Sequence, residues 1–454
     1  MREPRRLVSV VAIVSMLAVS WTVPAGAQRQ PELQLLSDAE TEHTIREMAR
    51  PIFNAAGIDP QAVNIVLVND RTLNAFVAGG QNIFLHTGLL LQTDPNQLVG
   101  VIAHETGHIA GGHLIRGAEA MENAFLSSLI GMGIGVIGGL AAKNAGAGMA
   151  GIMLGQAMGQ NQYMSFSRAQ ESSADQAGLS YMEQAHLSSK GLLTFLEKLN
   201  AEDPVLNDRD ATYARTHPLT RERMDSVRQM VQRSRWNDGI VPAAQQEHYA
   251  RIQAKLYAYL DPLGALRRYR AEDGSVVARY GRAYAYFRRG EVKQALPLAD
   301  GLIQQEPQNA YFHEMKGDLL LQNGRAVEAV GPYRKAVALA PDGNPIRVSL
   351  AHALLEQHDP KQADEAIKNL QVAAKSQQGQ SAFLWRLMAQ AWSMKDNPGM
   401  VAYASAEEAF AQGDRPRAIA MAERAEKLLP AGSPGWLRAQ DIRSQIGPRT
   451  AGKK

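Results

Sequence analysis

The sequence predicts an α+β domain to about residue 240, followed by an all-α helical-repeat solenoid over residues 245–450. Three observations carry this. A β-branched run, Val63 to Val68, and two further extended segments precede a helix with paired histidines. Beyond residue 245 only helical patterns and turns follow. Within that half, Gly290 and Gly324, Ala295 and Ala329, and Pro307 and Pro341 are each 34 residues apart, and a fixed period of that size marks stacked repeats. At 454 residues the chain also exceeds what one core usually organises.

Arg2, Arg5 and Arg6, the apolar stretch Leu7 to Val19 and then Ala25-Gly26-Ala27 form the three regions of a secretory leader, so residues 1–27 are expected to be a cleaved signal peptide. The alternative, an uncleaved anchor, needs about 20 apolar residues, more than this run supplies. No cysteine occurs, which excludes disulfides, thiolate metal ligands and a thiol nucleophile, and any metal must be held by histidines and carboxylates. Removing three arginines and one glutamate with the leader from 48 basic and 45 acidic residues leaves 45 and 44. A balance that even carries no sign of a nucleic-acid partner.

The elements of residues 28–240 follow in order. After a polar segment to Ser37, Asp38 caps a helix through Ile45, Met48 and Ile52, which Gly57 and Pro60 close. Strands are expected at 63–68, 75–78 and, past Gly79-Gly80, 82–86, and a helix begins at Gly88. Asp94 and Pro95 suit the cap and first position of a long helix reaching Leu114. Residues 124–159 then turn to Gly, Ala, Met and Ile, with Gly131-Gly135-Gly139 and Gly151-Gly155-Gly159 at GxxxG spacing. A membrane hairpin is one reading, but the second limb is short for about 30 Å of hydrocarbon. A hairpin or lid over a cleft, with peripheral membrane contact as the lesser alternative, is the preferred expectation. In the repeats, Ala283 and Gly317 are the small residues of the first helices, and Tyr333 is the aromatic. Gly413, Ala418, Ala425 and Pro430 regain the register. Stacked pairs make a groove for a partner, although repeats also serve as spacers.

The chemistry centres on His104-Glu105-Thr106-Gly107-His108. Histidines four apart on a helix project from one face and can meet one metal ion, and Glu105 beside them can act as general base. Leu98, Val99, Val101 and Ile102 make this a buried helix, where two histidines and a glutamate are costly without a compensating ion or hydrogen bonds. A third ligand is needed. A third histidine six residues after His108 would fall at Leu114, so His113 misses that pattern by one position. Glu171 is the better candidate, with Asp175 on the same helical face to hydrogen-bond a ligand histidine. A solvated acidic face is the alternative. Two histidines and a glutamate suit one zinc ion per chain, while cobalt and manganese tolerate the same ligand types.

The HExxH motif, the remote Glu171-Ser172-Ser173-Ala174-Asp175, the stretch Asn74-Ala75-Phe76-Val77-Ala78-Gly79-Gly80, then Gly88-Leu89-Leu90 and His217-Pro218-Leu219-Thr220-Arg221-Glu222-Arg223 together resemble the M48 peptidases. The repeat region, with the 34-residue period, resembles tetratricopeptide repeats. A leader plus such a tail is similar to the periplasmic branch of M48 concerned with β-barrel assembly. The resemblance implies a zincin-like fold and an exported zinc endopeptidase acting on unfolded or misassembled polypeptide. It implies His104, His108 and Glu171 as metal ligands and Glu105 as the base. It places His217 near the metal, as an oxyanion stabiliser or in the open coordination position, and Arg223 in the cleft. It also implies an edge strand at Ala78 to Leu85, where Gly79 and Gly80 admit substrate, and periplasmic partners among outer-membrane β-barrel proteins and their assembly machinery. The rival reading is a chaperone or scaffold whose zinc site is latent.

Overall fold

Asn64–Val68, buried almost throughout, and Ala75–Ala78 and Asn82–His86, whose buried positions largely alternate, build a small mixed sheet. The computed structural model describes residues 34–78, 80–113, 168–201, 213, 216–239, 241–376 and 381–446. The leader, the Gly/Ala-rich segment 124–159 and Gly79 lie outside these.

Strands β1 (Leu35–Leu36), β2 (Asn64–Val68), β3 (Ala75–Ala78) and β4 (Asn82–His86) have the order β1-β2-β4-β3. β1 is antiparallel to β2, β2 parallel to β4, and β3 antiparallel to β4. The pair Leu35–Leu36 falls in the stretch read from sequence as merely polar, because two residues show no periodicity. The sheet also corrects the expected edge. Most of Ala78 to Leu85 is not an edge: β4 is paired on both sides, and β1 and β3, which Ala78 ends, are the two edges among the described residues. The amide of His86 donates to the carbonyl of Asn74. In an antiparallel ladder such pairs alternate, so Phe76 and Ala78 also face β4, and Ala75 and Val77 turn their main-chain groups outward.

Helix α1 (Ala39–Ala55) is capped by Asp38, whose side chain accepts from the amide of Thr41. α2 is Thr87–Gln92. α3 (Pro95–Ala110) starts in a capping box, with Asp94 accepting from the amides of Asn96 and Gln97 while Gln97 reaches back. It stops at Ala110, short of Leu114, because Gly111 and Gly112 follow and Gly112 has φ +62. α4 spans 168–184, α5 is Lys190–Ala201 and α6 is Arg221–Arg233. α7 (Ala243–Leu260) falls on the repeat side of the expected boundary. Its Tyr249, Ile252 and Leu256 nevertheless join one apolar core with Ile45, Phe53, Leu67, Leu85, Val101, Ile102 and Phe195.

Beyond it the helices stack in pairs, beginning with Val276–Arg288 on Val292–Gln305 and Ala310–Gln322 on Ala326–Leu339. The periodic glycines have a backbone reason. Gly290 and Gly324 both sit at φ +73 and Gly413 at φ +72, in the turns between helices. His358 and Asp396, at φ 55 and 50, fill such turns where the period fades in the sequence. Gly317 is small because a Cβ there would lie 2.7 Å from the ring of Tyr333.

Candidate metal centre

Two close helix contacts bring the site together. A Cβ on Gly107 of α3 would lie 2.5 Å from the carbonyl oxygen of Ala174, and one on Gly178 would lie 2.8 Å from the backbone of Ala103. α3 and α4 therefore cross backbone to backbone, and Glu171 and Asp175 reach the histidine face. The polar atoms converge tightly. His108 Nε2 is 3.1 Å from His104 Nε2, and His217 Nδ1 is 3.3 Å from His104 Nε2. Glu171 Oε1 lies 3.3 Å from His108 Nε2 and 3.1 Å from His217 Nδ1, and Oε2 lies 3.4 Å from His104 Nε2. His104, His108, Glu171 and His217 offer ligand atoms all within 4.8 Å of one another.

Three features test the fit to a metal ion. Ligand atoms about 2.0–2.1 Å from a tetrahedral zinc would be separated by roughly 3.3 Å, close to the spacings here. Glu105 is fully buried, and neither carboxylate oxygen accepts a hydrogen bond among the described residues, although His217 Nε2 lies 3.5 Å from Oε1. Glu105, Glu171 and Asp175 also face one permanent cation, Arg223, so the buried centre calls for further positive charge. The titration of His104 reflects this. Burial opposes a proton there, but the hydrogen bonds that His104 donates to Asp175 and Glu171 outweigh it and raise His104 to about 9. Burial lowers His108, and Glu171 is held far below the usual carboxylate range because the three histidines outweigh its burial.

His104 Nδ1–H donates to Asp175 Oδ1 at 2.8 Å, which turns its Nε2 toward the cluster. Arg223, expected in the cleft, is 5% exposed. Its guanidinium contacts Glu171 Oε2 at 2.7 Å and Asp175 Oδ2 at 2.5 Å and donates to the carbonyl of Pro218 at 3.2 Å. These contacts fix the two carboxylates and the start of the His217 turn. Burial works against the arginine's charge, but Asp175 and Glu171 prevail and hold it protonated. His217 also meets the sheet, where its Nε2 is 3.2 Å from the carbonyl oxygen of Ala75 on the open edge. Gly80 is in the β3–β4 turn at φ +97 with open space at its Cα.

A family model for peptidase family M48 matches residues 36–231, and one for tetratricopeptide repeats matches 265–344. Metalloprotease LoiP of Escherichia coli (strain K12) is 30% identical over 45% of this chain and 76% of its own length. The chain belongs to peptidase family M48. The β-barrel assembly-enhancing protease of Escherichia coli (strain K12) is 26% identical over 88% of this chain and 81% of its own length, and that of Yersinia pestis 25% over 81% and 75%.

Sequence reasoning missed one side chain of this M48 centre and set a second aside as a ligand. Tyr213, 1% exposed, stacks on His217 with centroids 4.6 Å apart, and its only sequence signal is an aromatic four residues before a histidine. His113 packs on His108, edge to face, at 5.0 Å. Among the described residues no helix is long and apolar enough to cross a membrane.

Proposed function

We propose that this M48 metallopeptidase is an exported, zinc-dependent endopeptidase for unfolded or misassembled polypeptide, held in check by its own His217. The position of His217 carries the proposal. Its Nδ1 joins His104, His108 and Glu171 as a fourth donor, while its Nε2 covers the Ala75 carbonyl on the sheet edge. A zinc ion held by His104, His108 and Glu171 would supply a Lewis acid for the scissile carbonyl and acidify a water. His217 in the remaining position leaves no place for that water, so the turn 216–220 must move before catalysis.

The chain's own groups then divide the work. Glu105, buried and with no hydrogen-bond donor on its carboxylate among the described residues, takes a proton from the attacking water and returns it to the leaving nitrogen. The outward main-chain groups of Ala75 and Val77 pair with an extended substrate, and the open space at Gly80 admits its backbone. Asp175 and Arg223 hold His104 and Glu171 in place. The names of the relatives support a finer reading, in which the clients are β-barrel proteins on their way to assembly. The leader-like N-terminus adds the periplasm as compartment, and the repeats add the docking surface.

The covering of the centre by His217 also favours the rival, a chaperone or scaffold with a latent site. Zinc content and casein cleavage of the full chain, Glu105→Gln and His217→Ala decide between them. One equivalent of zinc, cleavage abolished in Glu105→Gln and raised in His217→Ala supports the restrained peptidase. Zinc with no cleavage in any variant supports the rival, and absence of zinc overturns the ligand set.

A further inference from the structure

The two ligand histidines of α3 are supported differently. Asp175 takes the Nδ1 proton of His104, whereas His108 Nδ1 lies 3.0 Å from Nδ1 of His113. The rings stand edge to face at 81°, and His113 is 6% exposed. A continuing helix could not produce this contact. At 3.6 residues per turn, a residue five positions on lies about 140° round the axis, away from the cluster. The Gly111-Gly112 break turns the chain back instead. Gly112 takes the left-handed φ of +62, and a Cβ at Gly111 would lie 2.4 Å from His113 Nε2. The same turn is tied to the other ligand helix, since Gln170 Nε2, one residue before Glu171, reaches the His113 carbonyl at 3.4 Å.

We propose that His113 is a positioning residue for the metal centre, its Nδ1 accepting the Nδ1–H of His108 so that the His108 Nε2 lone pair faces the ion. A histidine that offers Nε2 to a cation carries its proton on Nδ1, and that proton needs an acceptor in a buried site. His113 supplies a neutral one, where Asp175 supplies a charged one to His104. The Gly111-Gly112 turn exists to present it. This inference rests on the metal-ligand reading above and extends it to a residue outside the ligand set.

Zinc affinity, measured by chelator competition on the full chain, tests it together with the melting temperature of the metal-free protein. His113→Phe keeps a packed ring and removes the acceptor, and is expected to weaken zinc binding about 10–100-fold. His113→Asn places an oxygen near the lost Nδ1 and is expected to recover most of that affinity, with the metal-free melting temperature of both variants near wild type. Zinc affinity of His113→Phe within twofold of wild type overturns the proposal. So does an equal loss in both variants with a lowered metal-free melting temperature, because bulk packing would then explain it. Failure of the wild-type chain to bind zinc overturns the underlying ligand assignment, which separates that failure from this one.

Discussion

At the scale of single residues, the centre is held by contacts that a motif search does not reveal. The four-residue spacings of His104 with His108 and of Glu171 with Asp175 made both faces legible, because helical geometry alone converts spacing into proximity. Arg223 was legible only as a charge near the cleft. Its true setting, against Glu171 and Asp175, depends on how α6 packs, which no local pattern encodes. Asp175→Asn keeps the shape but weakens the acceptor for His104 Nδ1–H. Zinc affinity is expected to fall about 10–100-fold by chelator competition, with Glu105→Gln unaffected in the same assay. Equal affinities for Asp175→Asn and wild type would show that the tautomer of His104 is fixed some other way.

Among the elements, the decisive contact is the crossing of α3 and α4. The sequence announces a helix at 95–110 and an acidic helix near 171, but the depth of their approach rests on Gly107 and Gly178, which read as ordinary small residues until the backbones meet. Gly107→Ala drives a methyl into the Ala174 carbonyl, and such overpacking costs about 1–3 kcal/mol. The same displacement withdraws Glu171, so a lowered melting temperature and lost zinc should appear together. A stable variant that retained full zinc would show that the helices separate without cost to the centre. The strand order was less legible. Both β3 and β4 carry strand-like residues, and only pairing decides which becomes the edge.

Across the whole molecule, the peptidase and the repeats meet at a buried charged cluster. Lys255 of α7 is 7% exposed, with its ammonium on Asp38 and 3.4 Å from Glu40. Tyr280 of the first repeat donates to Glu40 at 2.5 Å, and Ala39 joins the apolar core of the later repeats. Lys255→Met strands two acidic side chains, and removing one partner of a buried pair costs about 3–5 kcal/mol, measurable as a shift in the denaturant midpoint. An unshifted midpoint would mean that the cluster adds nothing. Facing the same lysine are Glu314 and Asp318, whose carboxyls burial pushes up, Asp318 to about 6. The folded chain holds these protons more tightly than the unfolded chain, where an aspartate titrates near 3.8. Stability from Asp318 is therefore full below that value and lost as pH rises through about 6. Denaturation at pH 5 and 7 should show the fall, and Asp318→Asn should flatten it while leaving Tyr333 a partner in place of Oδ1. A fall of the same size in Asp318→Asn would assign the effect elsewhere.

The open side of β3 has one more consequence. Unpaired strand edges invite pairing with any exposed strand, including that of a second copy, and folded proteins generally conceal them. In the structure the His217 turn lies along this border, with His217 on the Ala75 carbonyl and Thr216 on the Asn74 side chain. Under the proposed movement of that turn, unmasking the centre for work and baring a sticky margin would be one event, so a chain trapped with the turn displaced would also be the one that self-associates.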